Sequence, residues 1–303
     1  MVSRKTKHFL LKLISMVSVV RGYNVAIIAI AQYLASIFIM APEKRALSVL
    51  LDYNLFILVL ASSLTIASGY IINNFYDSKK DLINRPNKSN LDRLVSQKTK
   101  LQVYFSLNFL VAGIAFLVSF KAFLFFSTYI FIIWFYSHKI KKHLIIGNLT
   151  ASVLAVFPFF AILLYYKNFY PEIFAHAIFL YLLILIREII KDLENLKGDI
   201  ANNYQTIPVV YSENFAKKVI TILTISTLIP VFFLITMYDV GYMDTYFYLS
   251  LIVLIIFLML LWKSDDKIDY LRLHNIIKII IVSGVFCIVL IKPEVVLNFK
   301  KYI

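Results

Sequence analysis

The segment Asn73–Asp81, with the sequence NNFYDSKKD, follows directly on a long apolar run of the chain. Its residues Asn73, Asp77 and Asp81 recur at i, i+4 and i+8, and on a helix such positions lie on one face. A helix that ends in a face of oxygen ligands at a membrane surface is suited to a hard cation and to an anionic group that the cation binds. The segment therefore predicts both an apolar helix and a binding site at its end.

A second segment, Lys191–Asp199 with the sequence KDLENLKGD, repeats this arrangement more than a hundred residues later. Here Asp192, Asn195 and Asp199 recur at i, i+3 and i+7, and these positions again share one helix face. This segment also ends a long apolar run. Two such faces predict one site to which both helices contribute.

The composition indicates a polytopic membrane protein, because 61% of the 303 residues are hydrophobic, 16% are charged and the mean hydropathy is +0.81. We predict an all-α fold of nine transmembrane helices in a single domain that spans residues 1–303. The basic start of the chain resembles a signal peptide, but no small-residue cleavage site follows it, so we expect a retained first span. The predicted spans lie near residues 12–40, 50–75, 101–120, 122–137, 144–166, 172–191, 217–238, 245–262 and 274–291.

Basic residues are distributed unevenly between the connecting segments. If the N-terminus is cytoplasmic, the inner segments hold 21 of the 31 Lys and Arg residues and the outer segments hold seven. The positive-inside rule then predicts a cytoplasmic N-terminus, an external C-terminus and a cytoplasmic position for both acidic segments. The net charge of +14 is thereby explained by orientation and by anionic lipid headgroups, and nucleic acid is not an expected partner.

Carboxylates gathered from both segments would repel one another without a cation. Mg²⁺ relieves this repulsion, prefers oxygen ligands and commonly bridges to substrate phosphates. We expect a Mg²⁺-bound diphosphate, whose departure the metal and nearby basic side chains assist. The candidate catalytic carboxylates are Asp77, Asp81, Asp192 and Asp199. The candidate metal ligands are these four residues together with Asn73 and Asn195. Candidate diphosphate-binding residues after the first segment are Lys80, Arg85, Lys88 and Arg93.

The two segments resemble the aspartate-rich motifs of the UbiA-type intramembrane prenyltransferases. The first, continued by Asn84–Pro86, is similar to the family motif N-D-x-x-D-x-x-x-D, and the second to D-x-x-x-D. The resemblance implies nine helices around a central cavity, in a prokaryotic plasma membrane, with Mg²⁺-dependent transfer of a prenyl group from an allylic diphosphate to a lipophilic acceptor. It also implies substrate contacts for Arg21 and Asn24 in an Arg-x-x-Asn element, and for Arg187 and Lys191 beside the second motif.

The chain departs from the family pattern at two positions. Asn74 stands where the family usually has Asp, and Asn195 stands where the second motif begins with Asp. We expect the first metal site to be intact, because Asn73, Asp77 and Asp81 keep their spacing. The second site is expected to be weaker unless Asp192 or Glu194 replaces the missing carboxylate.

The sequence leaves the acceptor open. The stretch Arg187–Glu194, REIIKDLE, is most similar to enzymes that prenylate geranylgeranylglyceryl phosphate, and aromatic acceptors such as hydroxybenzoate or dihydroxynaphthoate are an alternative. A transporter is a second alternative, since membrane transporters also bury charges and break helices. A third is a relative that binds lipid without catalysis, suggested by Asn74 and Asn195. Prenyl chain length and oligomeric state are not indicated by the sequence.

Overall fold

The computed structural model describes residues 4–297, and over this range its regular elements are all helical. Nine helical segments of this range are long and apolar enough to cross a membrane, which confirms the predicted fold class. The helices are α1 (Arg4–Val20), α2 (Gly22–Ala35, continued by a π-helical turn over Ser36–Met40), α3 (Ala46–Leu50), α4 (Tyr53–Asn84), α5 (Pro86–Asp92), α6 (Gln97–Val118), α7 (Phe120–His138), α8 (Ile146–Tyr166), α9 (Pro171–Glu194), α10 (Leu196–Ala201), α11 (Ile207–Val210), α12 (Glu213–Ser226), α13 (Leu228–Thr236), α14 (Met243–Lys263), α15 (Lys267–Cys287) and α16 (Glu294–Leu297).

The prediction of one continuous first span over residues 12–40 is wrong. Arg21 adopts the left-handed conformation (φ 50°, ψ 54°) and separates α1 from α2, so the apolar span begins at Gly22. The apolar stretch of α1, Leu10–Val20, is about 17 Å long at 1.5 Å per residue and is too short for a hydrocarbon core of about 30 Å. Helix α1 instead packs against α4 and α5.

Helix α4 carries the first acidic segment beyond the apolar part of the bundle. Its 32 residues correspond to about 48 Å, well over the thickness of the hydrocarbon core. The helix begins after Asp52, whose carboxylate accepts hydrogen bonds from the backbone N–H groups of Asn54 and Leu55. It continues to Asn84, further than the predicted limit near residue 75, and the acidic segment is therefore regular helix.

Buried apolar side chains of the described residues form three clusters. The first joins α4, α6, α7 and α8, the second joins α9 to helices α12–α15, and the third joins the end of α2 and its π-helical turn to α4, α8 and the start of α9. Pro158 inside α8 cannot donate to the carbonyl of Leu154, and that carbonyl accepts a hydrogen bond from the Tyr129 hydroxyl at 2.8 Å instead. The carbonyl of α8 that Pro158 leaves without a helical donor thus keeps a hydrogen bond, at a depth where lipid offers none.

Candidate active site

A polar cleft of about 820 Å³ lies where α4 and α9 end at the same side of the bundle. It brings the two acidic segments together, as their sequence pattern predicted. Both acidic and basic side chains line it, together with amides and tyrosines. Its polar and aromatic lining residues are Arg21, Tyr70, Asn73, Asn74, Asp77, Lys80, Asp81, Arg85, Lys88, Tyr136, Lys141, Asn148, Glu188, Lys191, Asp192, Asn195, Tyr204 and Thr206.

The first acidic face is held by a lysine from another part of the chain. Lys141 donates from Nζ to Asn73 Oδ1 at 2.9 Å and to Asp77 Oδ1 at 2.6 Å. The Tyr204 hydroxyl donates to the same Asp77 oxygen at 2.9 Å. Asp81 faces the charges of Arg21 and Arg85, and within the described part of the chain it forms no ion pair with them.

The prediction that Asp192, Asn195 and Asp199 share one helix face is wrong, because α9 ends at Glu194 and α10 begins at Leu196. The second acidic segment divides between the cleft and the protein interior. Asp192 lines the cleft, and its Oδ2 accepts a hydrogen bond from Asn148 Nδ2 at 2.7 Å. Asp199 is fully buried and is not part of the lining, although Lys80 Nζ lies 2.5 Å from its Oδ1. Neither oxygen of Asp199 has a hydrogen bond of regular geometry among the described residues. Burial raises the pKa of this carboxyl above its ordinary value, and the charge of Lys80 opposes the rise.

Lys80 links the two acidic segments. Its ammonium group interacts electrostatically with Asp199, Asp77 and Asp192, and it lies 4.0 Å from the centroid of the Tyr204 ring. The same environment raises the pKa of the Tyr204 hydroxyl, first through burial and then through the Asp77 charge. The tyrosine is therefore a hydrogen-bond donor to Asp77 at neutral pH.

The donor set fits a hard divalent cation. Within the residues that the structure describes, no group of three His, Cys, Asp or Glu side chains is close enough to form a metal cage, because lysines occupy the space between the carboxylates. Mg²⁺ does not require such a cage, since it commonly takes one or two carboxylates together with water and substrate phosphate. The Asp81 carboxylate and the neighbouring amides in the cleft supply oxygen ligands of the kind that this ion prefers.

The basic candidates do not all reach the cleft. Arg21, Lys80, Arg85, Lys88 and Lys191 line it, whereas Arg93 and Arg187 do not. The candidate amide Asn24 also lies outside the lining.

Several of these candidates have partners in the structure. Arg85 pairs with Glu194 at 2.9 Å, and Arg187 and Lys191 pair with Glu188 at 3.1 Å and 2.7 Å. Asp192 and Glu194 were the two carboxylates expected to replace the one missing at Asn195. Glu194 pairs with Arg85 and does not line the cleft, so Asp192 is the one of the two that faces it.

Residues around Arg21 are arranged by the break between α1 and α2. Its guanidinium carbon lies 5.1 Å from the centroid of the Tyr70 ring. Asn24 donates from Nδ2 to the Tyr70 hydroxyl at 3.2 Å. Asn24 therefore contacts the cleft through Tyr70.

Sequence reasoning missed Lys141, Tyr204, Asn148 and Glu188 as cleft residues. Lys141 belongs to the basic run 139–142, one of the inner segments whose Lys and Arg residues predict the orientation. That run directly follows a predicted span on the same side as both acidic segments, and this position was a usable signal. Tyr204 and Asn148 carry no comparable pattern in the sequence.

Comparison with known proteins identifies the family. A model of the UbiA prenyltransferase family matches residues 29–277 of the chain. The chain belongs to this family. The match confirms both the predicted family and the predicted enzyme class of a membrane prenyltransferase.

Curated relatives are named digeranylgeranylglyceryl phosphate synthase. The one from Thermococcus sibiricus is 32% identical over 162 residues, which cover 53% of this chain and only 57% of that protein. The one from Methanobrevibacter smithii is 27% identical over 249 residues, which cover 75% of this chain and 80% of that protein.

Solved structures share the fold. One, reported for digeranylgeranylglyceryl phosphate synthase in membranes, has a TM-score of 0.69 at 20% identity and covers 92% of this chain and 97% of its own. Another, a UbiA homologue from Archaeoglobus fulgidus bound to GPP and Mg²⁺, has a TM-score of 0.65 at 17% identity and covers 90% of this chain and 99% of its own. At these identities the likeness establishes the architecture.

Proposed function

We propose that this protein transfers a prenyl group from an allylic prenyl diphosphate to an isoprenoid glyceryl phosphate, with Mg²⁺ as cofactor. The observation that carries the proposal is the single cleft lined by both acidic segments, at the end of a bundle whose interior is apolar. The names of the curated relatives support a glyceryl phosphate acceptor over an aromatic one. The family assignment favours an enzyme over a transporter.

The acidic segments are proposed to hold the cation. Its ligands would come from Asn73, Asp77, Asp81, Asp192, Asn195 and Asp199, so that both α4 and the α9–α10 junction contribute oxygen atoms. When bound, Mg²⁺ would supply charge neutralisation for the departing diphosphate. Lys80 and Lys141, which neutralise the carboxylates in this structure, are then available to the diphosphate oxygens.

The basic side chains around the cleft are proposed to bind and orient the substrates. Arg21, Lys80, Arg85, Lys88 and Lys191 would contact anionic oxygens directly. Arg187 would act beside them through Glu188, and Asn24 through Tyr70. In the reaction the acceptor hydroxyl oxygen forms a bond to the allylic carbon, the bond from that carbon to diphosphate breaks, diphosphate leaves with the electron pair, and the hydroxyl proton passes to water.

The hydrocarbon part of the substrates has an apolar space near the cleft. A cavity of about 900 Å³, lined almost entirely by apolar side chains of α2, α8, α9, α14 and α15, reaches Leu183 on α9. Glu188, which lines the polar cleft, is five residues away on the same helix, or about 7.5 Å at 1.5 Å per residue. We propose that the prenyl chain extends from the cleft towards this cavity.

The orientation in the membrane is part of the proposal. The cleft lies at the end of the bundle where Lys80, Lys141 and Lys191 are found, and this excess of basic residues supports a cytoplasmic face with a cytoplasmic N-terminus in a prokaryotic plasma membrane. Of the C-terminal segment that would lie outside, residues 298–303 fall beyond the described range. The whole chain is proposed to act as one domain.

The test is product formation by purified protein with Mg²⁺. Allylic diphosphates of several lengths are combined with geranylgeranylglyceryl phosphate, hydroxybenzoate or dihydroxynaphthoate, and products are identified by mass. We expect product with the glyceryl phosphate and none without Mg²⁺. Asp77→Asn should reduce the rate by at least about 100-fold, the scale of a lost electrostatic stabiliser. Asp266→Asn is the control, since that side chain is exposed and makes no capping hydrogen bond at the start of α15. Product only with aromatic acceptors, or full activity of Asp77→Asn, would contradict the proposal.

A further inference from the structure

A buried carboxylate outside the two acidic segments organises the basic segment beside the cleft. Asp92 ends α5 and is only 3% exposed. It accepts hydrogen bonds from Ser18 Oγ of α1 at 2.9 Å, from Asn74 Nδ2 of α4 at 3.0 Å and from Lys88 Nζ of α5 at 2.8 Å. One side chain thus ties together three helices at the edge of the cleft.

Asn74 uses both ends of its amide in this network. While its Nδ2 donates to Asp92, its Oδ1 accepts a hydrogen bond from Lys100 Nζ of α6 at 2.8 Å. Lys100 is 1% exposed, so its charge has little access to water. A buried ammonium group needs an acceptor, and a buried carboxylate needs a donor. An amide at position 74 satisfies both, whereas an aspartate there has no N–H to donate.

The network determines where two basic side chains lie. Arg85 and Lys88 line the cleft, and they flank Pro86, the first residue of the seven-residue helix α5. So short a helix is not stable by itself. Its position therefore depends on contacts such as those of Asp92, and on the pairing of Arg85 with Glu194 at its other end.

We propose that Asp92 is a positioning residue for substrate binding. It forms a matched pair with Asn74, in which the amide comes from α4 and the carboxylate from α5. The pair fixes α5 so that Lys88 and Arg85 face the anion in the cleft. That an anionic substrate binds there rests on the proposed function. Asn74 is then a structural amide, not a metal ligand that has lost its charge. Asn74→Asp would place two carboxylates against each other at a buried position and would impair the protein.

Exchanging the two residues tests the pair. Asn74→Asp, Asp92→Asn and the double variant are compared with wild type, with Asn90→Asp as control because Asn90 undergoes the same chemical change at an exposed position of α5. The double variant can rebuild the link between positions 74 and 92. The new carboxylate at position 74 would accept from Lys100 and from the new amide at position 92, whose oxygen would accept from Ser18. Lys88 would lose its acceptor, because it shares Asp92 Oδ2 with Asn74 and the amide nitrogen would take that place.

Two readouts do not require turnover. We expect each single variant to lower the Tm of the detergent-solubilised protein by at least about 5 °C, and to raise the dissociation constant for inorganic diphosphate with Mg²⁺ by about tenfold. The double variant should recover most of the Tm loss and less of the diphosphate affinity, because Lys88 still lacks its acceptor, and Asn90→Asp should match wild type. A Tm and diphosphate affinity of Asn74→Asp equal to wild type, or a double variant whose Tm is no higher than that of the worse single variant, would overturn the matched pair.

Kinetics test the positioning role separately. With prenyl diphosphate as the varied substrate, Asp92→Asn should raise KM by about tenfold and leave kcat within about threefold. A loss confined to kcat would overturn a role in positioning the anion-binding side chains. If wild type gives no prenyl transfer, the proposed function fails, while the matched pair is still decided by Tm and by inorganic diphosphate binding.

Discussion

Lys141 Nζ lies 2.6 Å from Asp77 Oδ1, although the two residues are 64 positions apart in the chain. The same ammonium group is hydrogen-bonded to Asn73 Oδ1 at 2.9 Å. It therefore occupies the oxygen face for which the sequence predicted a metal. One of the two carboxylates of the first acidic face, Asp77, is thus neutralised by the protein itself. A cation must compete with this lysine or displace it.

Removing that competitor should tighten metal binding. Lys141→Gln is expected to lower the half-saturating Mg²⁺ concentration by about tenfold, corresponding to about 1.4 kcal/mol of lost competition. The measurement is a Mg²⁺ titration of prenyl transfer at saturating substrate. Lys139→Gln, at an exposed position of the same basic run, should leave the titration unchanged. An unaltered midpoint in Lys141→Gln would show that the cation binds elsewhere.

Arg85 offers a prediction that separates substrate binding from a structural ion pair. Its guanidinium pairs with Glu194 Oε1 at 2.9 Å, and a guanidinium can also bind phosphate oxygens in a two-pronged manner that lysine cannot reproduce. We expect Arg85→Lys to raise the inhibition constant of inorganic diphosphate by about tenfold.

Glu194→Gln is the companion variant for this prediction. It releases Arg85 from its partner, so diphosphate should inhibit at least as well as in wild type. If Arg85 only braces the fold, Glu194→Gln and Arg85→Lys would instead weaken inhibition alike.

Asn195→Asp should couple stability to the metal. Asn195 is 5% exposed and donates from Nδ2 to the Lys191 carbonyl at 2.7 Å. An aspartate loses this donor and adds a buried charge that a cation can neutralise. We expect the variant's Tm without Mg²⁺ to fall by about 3–6 °C, on the scale of one unsatisfied buried group, and its stabilisation by Mg²⁺ to exceed that of wild type.

A closely matched control exists for this substitution. Asn202 makes the same contact, from Nδ2 to the carbonyl four residues earlier, Gly198, at 2.8 Å, and it does not line the cleft. Asn202→Asp should lose stability without gaining any response to Mg²⁺. An equal Mg²⁺ response in both variants would remove Asn195 from the metal site.

Gly198 marks a close approach between α10 and the end of α4. Its N–H donates to Asn84 Oδ1 at 3.1 Å, and a Cβ at this position would clash with the Asn84 amide. Gly198→Ala should destabilise the protein by about 1–3 kcal/mol, as overpacking does. Gly113→Ala is the control, since a Cβ there meets nothing within 4 Å, and it should be neutral or stabilising by up to about 1 kcal/mol. Thermal unfolding compares them, and equal Tm values would contradict the close contact.

The sequence by itself determined the number of spans and the first acidic helix face, whereas the second segment is divided between α9 and α10. Both follow from local properties, since hydropathy over about 20 residues defines a span and spacing of three or four residues defines a face. The faces of Asn73, Asp77 and Asp192 therefore point into the cleft as the pattern indicates. The break at Arg21 escaped this reasoning, because an apolar run does not reveal a single left-handed residue within it.

The tertiary structure decided which partners each carboxylate has. Asp77 meets Tyr204 across 127 positions, Asp192 meets Asn148 across 44, and Asp199 is buried against Lys80 rather than exposed in the cleft. No local period encodes such contacts, because they depend on how α4, α8 and α9 pack. Helix periodicity directs a side chain to one side of its own helix, and only the packing of other helices decides whether water, lysine or another carboxylate lies there.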